Sequence, residues 1–168
     1  MTRPLRTIFI LIAILLVRSL SIAGEIRVVR VTDGDTIKVA VDHMEIIVRL
    51  VGIDAPEKPI GKRQPGQPYS RKATKYLASL ALNKTITIKE YGTDRYKRIL
   101  GVVFVNGKNA NLEMVKAGLA EVYRGKQPRY FNVKIYQDAE AEAKKAKRGM
   151  WIKGDKYISP KEWRKMHR

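Results

Sequence analysis

Residues 26–57 read IRVVRVTDGDTIKVAVDHMEIIVRLVGIDAPE, which is three β-rich runs separated by turn signals. The first two runs cover 26–31 and 36–41, and the third covers 45–53. β-branched residues are frequent in all three runs, so each one is a strand candidate. Gly52 lies inside the third run and predicts a bend or bulge there. This stretch therefore predicts a curved sheet at the start of the folded domain.

The rest of the chain alternates helical and β-rich patterns. Apolar residues recur at helical spacing on three segments, and two further β-rich runs lie among them at 85–88 and 99–105. The three helical faces are Ala73, Tyr76, Leu77, Leu80 and Ala81; Leu112, Val115 and Leu119; and Ile135, Ala139, Ala143, Ala146 and Met150, with Gly149 as the stop of the last. A capping-box pattern at 159–162 predicts a short terminal helix. About five glycine-curved strands with helices between them fit an α+β fold on a small Greek-key β-barrel of the OB type.

Four carboxylates and one arginine fall in two short segments of this stretch, 33–36 and 49–57, in a chain that is basic overall. They are Asp33, Asp35, Asp54, Glu57 and Arg49. The whole chain has 16 Asp and Glu against 34 Lys and Arg, so acids clustered on β-like segments indicate a cation site. A cation site on a basic protein points to a polyanionic substrate and phosphodiester chemistry. Asp33 is better explained as a turn residue, and caps, turns or a structural ion pair are the alternatives for the others.

The positive charge is large and uneven. The formal net charge is +18, which indicates nucleic acid or another anionic surface as a partner. Residues 58–75 hold six Lys or Arg and no acid, whereas residues 144–168 hold ten against two acids. A solvated basic tail is the alternative for the second segment. We expect that tail to attract nucleic acid from outside the acidic cluster, which lies elsewhere in the sequence.

The N-terminus has the pattern of a targeting segment. Arg3 and Arg6 precede an unbroken apolar run over 8–17, and Ser21-Ile22-Ala23 supplies small residues for a signal peptidase. A bilayer-spanning helix needs roughly 20 apolar residues, so an uncleaved anchor is the alternative rather than the prediction. We predict a signal peptide over 1–23, a domain over 24–152 and a basic extension over 153–168. The mature protein is then secreted or periplasmic, without stable membrane association.

The absence of cysteine excludes several kinds of site. Disulfides, thiolate metal sites and cysteine nucleophiles are all impossible in a chain with no Cys. The two histidines are His43, beside a predicted turn, and His167, next to the last residue. A histidine-rich zinc site and a Ser-His-Asp triad are therefore disfavoured.

The order of the short motifs resembles the staphylococcal nuclease (thermonuclease) family. The resemblance rests on VTDGDT at 31–36, RLVGIDAPE at 49–57 and DRYKR at 94–98, with softer matches at 105–108, 118–123 and 140–151. It spans about residues 25–152. It implies a five-stranded OB-fold barrel with three α-helices. It also implies calcium-dependent hydrolysis of DNA and RNA phosphodiester bonds that leaves 3′-phosphates.

The resemblance also implies roles for the acids. Asp35 and Asp54 correspond to direct calcium ligands, and the backbone carbonyl of Ala55 to a third, although the best-known member of the family has Thr at that position. These are the hard oxygen donors that Ca²⁺ prefers. Glu57 corresponds to the residue that acts as general base or positions the attacking water.

The basic and aromatic residues have counterparts as well. Arg49 and Arg98 correspond to arginines on the reacting phosphate, where a guanidinium can hold two phosphate oxygens. Arg95, Tyr96 and Tyr123 correspond to residues that contact the nucleotide. Packing or a solvated surface position is the alternative for these three. The family usually has Gly where Lys97 stands.

These patterns together predict a monomeric, calcium-dependent nuclease that acts on DNA, RNA or both. One alternative is a catalytically silent OB-fold module that only binds nucleic acid, and the other is a cationic envelope or adhesion protein. The three acids and two arginines argue against the silent module, because binding nucleic acid needs none of the carboxylates.

Overall fold

The computed structural model describes residues 25–61 and 64–167. The predicted signal peptide at 1–23 lies outside these residues, as do Lys62 and Arg63 of the basic loop. Eight β-strands, four α-helices and one 3-10 helix follow one another in the described parts. They are β1 (Arg27–Val31), β2 (Thr36–Val41), β3 (Met44–Leu50), β4 (Ile53–Asp54), α1 (Ser70–Ala81), β5 (Thr87–Thr93), β6 (Ile99–Val105), β7 (Lys108–Asn109), α2 (Ala110–Lys116), β8 (Glu121–Val122), α3 (Lys134–Lys145), the 3-10 helix (Gly149–Lys156) and α4 (Pro160–Met166).

One mixed sheet and one small strand pair make up the β-structure. The sheet follows the path β1-β2-β3-β6-β5, with β7 paired to β6. β3 and β6 are its only parallel neighbours among the described strands, with Val48 opposite Ile99 and Leu50 opposite Gly101. A parallel pair needs a long crossover, and the segment that contains α1 and β5 provides it. β4 and β8 form a separate antiparallel pair.

The two edges of the main sheet approach each other through a short contact. Arg27 on β1 lies opposite Thr85, just before β5. The Val28 N–H donates to the Lys84 carbonyl at 3.0 Å, and the Ile86 N–H donates to the Ile26 carbonyl at 2.9 Å. The predicted α+β architecture and its mixed composition are confirmed. Full closure into an OB-type barrel stays a prediction, because strand pairing is continuous only from β1 to β5 and the contact between these two edges is a short bridge.

The helical faces predicted from spacing are largely the buried faces. Ala73, Leu77 and Ala81 of α1 have no exposed surface, and they pack in one core with side chains from β2, β3 and α2. The exceptions are two residues of the third face, Ile135, which is 41% exposed, and Ala146, which is also exposed. The main core packs against the sheet, and a second, smaller cluster contains Ala143, Met150 and Trp151. The ends of β2 and β3 are thus supported by packed residues, and side chains can be held in place there.

The count of three α-helices that the resemblance implied was wrong, since the described residues contain four and a 3-10 helix. α3 ends at Lys145 instead of continuing towards Gly149, because Lys147 takes a left-handed conformation with φ 50°. The predicted domain boundary after residue 152 falls inside the 3-10 helix. The predicted terminal helix is present as α4, and its capping box is complete: Ser159 Oγ accepts from the Glu162 N–H at 3.1 Å.

No helix in the described segments, 25–61 and 64–167, has the length and apolar character needed to cross a membrane. The alternative of an uncleaved N-terminal anchor concerns residues 1–23. That prediction lies outside the described segments.

Candidate functional site

Asp35 and Arg49 meet where β2 begins and β3 ends. Thr36 and Arg49 are register partners in this antiparallel pair, which places Asp35 beside the arginine. The Asp35 carboxylate is buried, and its Oδ1 pairs with Arg49 Nη1 while its Oδ2 accepts from the Ala55 N–H at 2.9 Å. A buried carboxylate needs such partners, because an unpaired charge away from water is costly.

Arg49 also reaches Asp54, so one guanidinium bridges two buried carboxylates. Its Nη2 donates to Asp54 Oδ1 at 3.1 Å, and Asp54 is only 2% exposed. Asp54 is held by the pairing of β4 with β8, where it lies opposite Glu121. The structure thus brings Asp35, Arg49 and Asp54 together within one hydrogen-bonded cluster, and their predicted roles as calcium ligands and phosphate ligand stay predictions.

A sharp bend between β3 and β4 turns Asp54 back towards Asp35. Gly52 adopts φ 81° in this bend, and a Cβ at that position would collide with the ring of Phe131. The bend predicted from Gly52 is therefore confirmed. Asn111 fixes it from behind: its Nδ2 donates to the carbonyls of Val51 and Gly101 at 2.9 and 3.0 Å, and its Oδ1 accepts from the Val103 N–H at 3.0 Å.

Asp33 has the turn role that the sequence predicted. Its Oδ1 accepts from the Asp35 N–H at 3.1 Å, which closes the turn between β1 and β2. Burial raises the pKa of Asp33 above its usual value, while attraction to Arg49, a hydrogen bond with Thr36 and attraction to Lys58 oppose the rise. Asp33 therefore orients Asp35 through the backbone.

Arg98 is oriented by the loop that precedes β6. Its Nε donates to Asp94 Oδ2 at 2.8 Å, and Asp94 Oδ1 accepts from the backbone N–H groups of Tyr96 and Arg98. Burial alone would raise the pKa of Asp94, but these hydrogen bonds outweigh it and hold the pKa below the usual value. Lys97 takes φ 63°, so the loop keeps a left-handed conformation where the family usually has Gly.

Eight of the nine predicted site residues line one open cleft of about 700 Å³. The lining residues are Asp35, Arg49, Ala55, Glu57, Arg95, Tyr96, Arg98 and Tyr123. The ninth, Asp54, is buried and does not line the cleft. Tyr96 is 64% exposed, and Arg95 stacks on its ring with the guanidinium carbon 4.7 Å from the ring centroid. Exposed aromatic rings beside arginines suit contacts with bases and phosphates.

Glu57 enters the cleft beside two residues that sequence reasoning missed. Gln67 Oε1 accepts from the Glu57 N–H at 3.0 Å, and the Gln67 N–H donates to the Glu57 carbonyl at 2.8 Å. Arg164, on α4, donates to Glu57 Oε1 and binds both oxygens of Asp54, at 3.1 and 2.8 Å. The basic tail therefore reaches the acidic cluster, contrary to the expectation that it acts elsewhere. The capping box predicted the helix, but no local signal indicated where it docks.

The donor set suits a hard cation, although the acids do not converge in this arrangement. Asp35, Asp54 and Glu57 offer carboxylate oxygens, the ligands that Ca²⁺ prefers. Arg49 lies between the first two acids, and Arg164 between the last two. Within residues 25–61 and 64–167, no three His, Cys, Asp or Glu side chains are grouped closely enough to hold a metal ion. The chemistry of the donors fits calcium, and two guanidinium groups now occupy the space between them.

Glu140 holds β8, the strand that pairs with β4 and so positions Asp54. Its carboxylate is buried on α3, accepts from the Val122 N–H on β8 at 2.8 Å, and pairs with Arg124 and Lys144. Burial tends to raise the pKa of Glu140, but these partners outweigh it and lower the pKa below the usual value. Glu140 thus anchors the strand against which Asp54 is paired.

We expect Glu140→Gln to lower the free energy of unfolding by about 1–3 kcal/mol at pH 7, since charge-assisted hydrogen bonds are lost. A lowered folded-state pKa gives stability that is present above the unfolded pKa and disappears as pH falls. The difference between variant and wild type should therefore shrink below about pH 4. Urea unfolding at several pH values measures this. Exposed Glu142→Gln on the same helix is the control, and an equal effect there would contradict the assignment.

In the comparison with known proteins, the matching family model and the relatives named below are all described as nucleases or endonucleases. The family model described as "Staphylococcal nuclease homologue" matches residues 47–153. A protein of Escherichia coli named "Uncharacterized endonuclease" is 42% identical over 139 residues, which cover 82% of this chain and 83% of that protein. A protein of the same name from Haemophilus influenzae is 36% identical over 143 residues, covering 84% and 74%. "Probable endonuclease LCL3" of Debaryomyces hansenii is 36% identical over 128 residues, covering 73% and 54%.

Proposed function

The chain belongs to the staphylococcal nuclease family, and from this premise we propose that it is a secreted or periplasmic calcium-dependent nuclease that hydrolyses phosphodiester bonds of DNA, RNA or both. The observation that carries the proposal is the buried cluster of Asp35, Arg49 and Asp54 at a cleft that Glu57 and Arg98 also line. Carboxylates and arginines together at one cleft suit a site that receives a cation and a phosphate together.

Asp35, Asp54 and the backbone carbonyl of Ala55 would hold the calcium ion. When bound, the ion supplies Lewis-acid polarisation of the phosphate and a coordination position for water. Both carboxylates are buried and held in place by the β-structure, and guanidinium groups now occupy the positions that a calcium ion would take beside them. Asp33 keeps Asp35 in place through the backbone hydrogen bond at its N–H.

Glu57 is the proposed general base, and Arg49 and Arg98 are the proposed phosphate ligands. Glu57 is partly exposed to the cleft, where a carboxylate can accept a proton from water. The two guanidinium groups oppose the charge that grows on the phosphate oxygens in the transition state. Arg95, Tyr96 and Tyr123 would hold the neighbouring nucleotides along the cleft wall.

The alternative remains a catalytically silent module of the OB type that binds nucleic acid. The exposed pair of Arg95 and Tyr96 would serve such a module equally well. The buried carboxylates argue against it, because two charges desolvated beside a polyanion-binding surface weaken simple binding.

A digestion assay separates the two functions. The mature chain should nick and degrade circular plasmid DNA or RNA in calcium, and should lose cleavage but keep nucleic-acid binding in excess EGTA. A Glu57→Gln variant purified in the same way controls for contaminating nucleases. Undiminished digestion in EGTA would exclude the calcium-dependent mechanism, and binding without cleavage in calcium would favour the silent module.

N-terminal sequencing of the same material from its host tests export: Gly24 is expected, and an intact Met1 would contradict cleavage.

A further inference from the structure

Arg164 occupies both acids on which the proposed function depends. Its Nη1 donates to Asp54 Oδ1 at 3.1 Å and to Glu57 Oε1, and its Nη2 donates to Asp54 Oδ2 at 2.8 Å. Asp54 Oδ1 also accepts from Arg49, so both oxygens of this buried carboxylate have guanidinium partners. Hydrogen bonds and charge attraction from Asp54 and Glu57 raise the pKa of Arg164, against the opposing effect of burial.

A divalent cation and this guanidinium compete for the same oxygens. A carboxylate has about four lone-pair positions, and three at Asp54 are taken by arginine N–H groups. Arg164 also places a positive charge between Asp54 and Glu57, where it repels another cation. Binding of calcium to Asp54 therefore requires Arg164 to move away.

The helix that bears Arg164 is positioned by polar contacts and only slightly by apolar burial. Gln67 Nε2 donates to the Ile158 carbonyl at 2.7 Å, while the Oε1 of the same side chain holds the Glu57 N–H. The Ser159 capping box fixes the start of α4. Within α4, all of which the structure describes, Pro160 is the one fully buried residue, and Trp163 is half-buried. Segments that bury so little apolar surface open at low free-energy cost.

We propose that α4 is a tethered inhibitor of the calcium site, with Arg164 standing in for the cation until calcium displaces it. This inference rests on the proposed function. Because coupling between two binding events is reciprocal, calcium should weaken the docking of α4 by the same factor by which docked α4 weakens calcium binding. Release of Arg164 also frees Glu57 to act on water.

The test measures calcium affinity of the full chain by isothermal titration calorimetry. Arg164→Gln should bind calcium about tenfold more tightly than wild type, since the apparent dissociation constant scales inversely with the fraction of chains whose site is free. Lys165→Gln removes the same charge from the exposed neighbouring position and should leave the affinity unchanged. Arg164→Lys keeps a cation without the planar fork and should fall between the two. Circular dichroism confirms that each variant is folded.

Hydrogen exchange of the wild-type chain gives a second readout. Calcium should accelerate amide exchange at 159–167 and leave the amides of β6 protected. Calcium-dependent cleavage with equal calcium affinities in wild type and Arg164→Gln would overturn the inhibitor role and leave the proposed function intact. Protection of α4 by calcium would overturn it as well. Cleavage that needs no calcium would overturn the proposed function, and the inhibitor role with it.

Discussion

Arg98→Ala should cleave DNA about 100- to 1,000-fold more slowly than wild type while binding DNA almost as tightly. The loss of one preorganised donor that stabilises transition-state charge typically has this effect on rate. Asp94 orients the Arg98 guanidinium before substrate arrives, so little reorganisation accompanies the reaction. Interactions made only in the transition state appear in kcat and leave substrate affinity nearly unchanged.

Glu57→Gln should show the same separation of rate from binding, because glutamine keeps the shape of the side chain but cannot accept the proton. Single-turnover cleavage at saturating protein gives the rate, and fluorescence anisotropy in EGTA gives the affinity. Lys108→Ala, on the exposed strand β7, is the control and should cleave at the wild-type rate. Rates close to wild type for both Arg98→Ala and Glu57→Gln would show that the assigned active site is wrong.

Asn111→Ala should be among the most destabilising substitutions in the molecule. The Asn111 side chain has no exposed surface and bonds to three buried backbone groups, on Val51, Gly101 and Val103, of which the Gly101 carbonyl also accepts from the Val51 N–H at 2.9 Å. Each buried group left without a partner costs about 1–3 kcal/mol. The Val51 carbonyl and the Val103 N–H lose their Asn111 partner, so the expected loss is about 2–6 kcal/mol, against a typical total of about 5–15 kcal/mol.

Guanidinium chloride unfolding monitored by circular dichroism measures this loss. Asn132→Ala, at an exposed position, should change stability by no more than about 0.5 kcal/mol. Because Asn111 holds the bend after β3, the variant that remains folded should also cleave more slowly. A midpoint for Asn111→Ala equal to that of Asn132→Ala would mean that these three hydrogen bonds contribute nothing.

Sequence patterns predicted the elements that local chemistry determines. The bounds of β2 and β6 agree with their apolar runs, and Gly52 and the capping box mark the positions where the chain bends and where α4 begins. Where tertiary contacts override local preference, the observed bounds of an element differ from the predicted ones. The β5 run was expected at 85–88 but the strand is Thr87–Thr93, because the residues before it bond to the edge of β1.

The site was predictable where its residues lie in contiguous motifs. Asp35, Arg49 and Asp54 come from one short stretch, and the structure places them in one cluster. Arg164 and Asn111 could not be found in this way. Arg164 bonds to residues more than 100 positions away, and Asn111 bonds to Val51, 60 positions away, as well as to nearer residues. Neither residue has a local pattern that reveals its partners.

The parallel pairing of β3 with β6 also bears on the order in which the chain folds. β1, β2 and β3 are joined by short turns and can pair soon after collapse, and so can β5 and β6. Val48 can meet Ile99 only after the intervening chain has closed a long loop, and that entropy must be lost before the contact is gained. Arg49 lies on β3 and Arg98 directly precedes β6, so this late pairing brings the two arginines together. Catalytic competence during refolding therefore returns with the slowest, non-local step, after most of the secondary structure has formed.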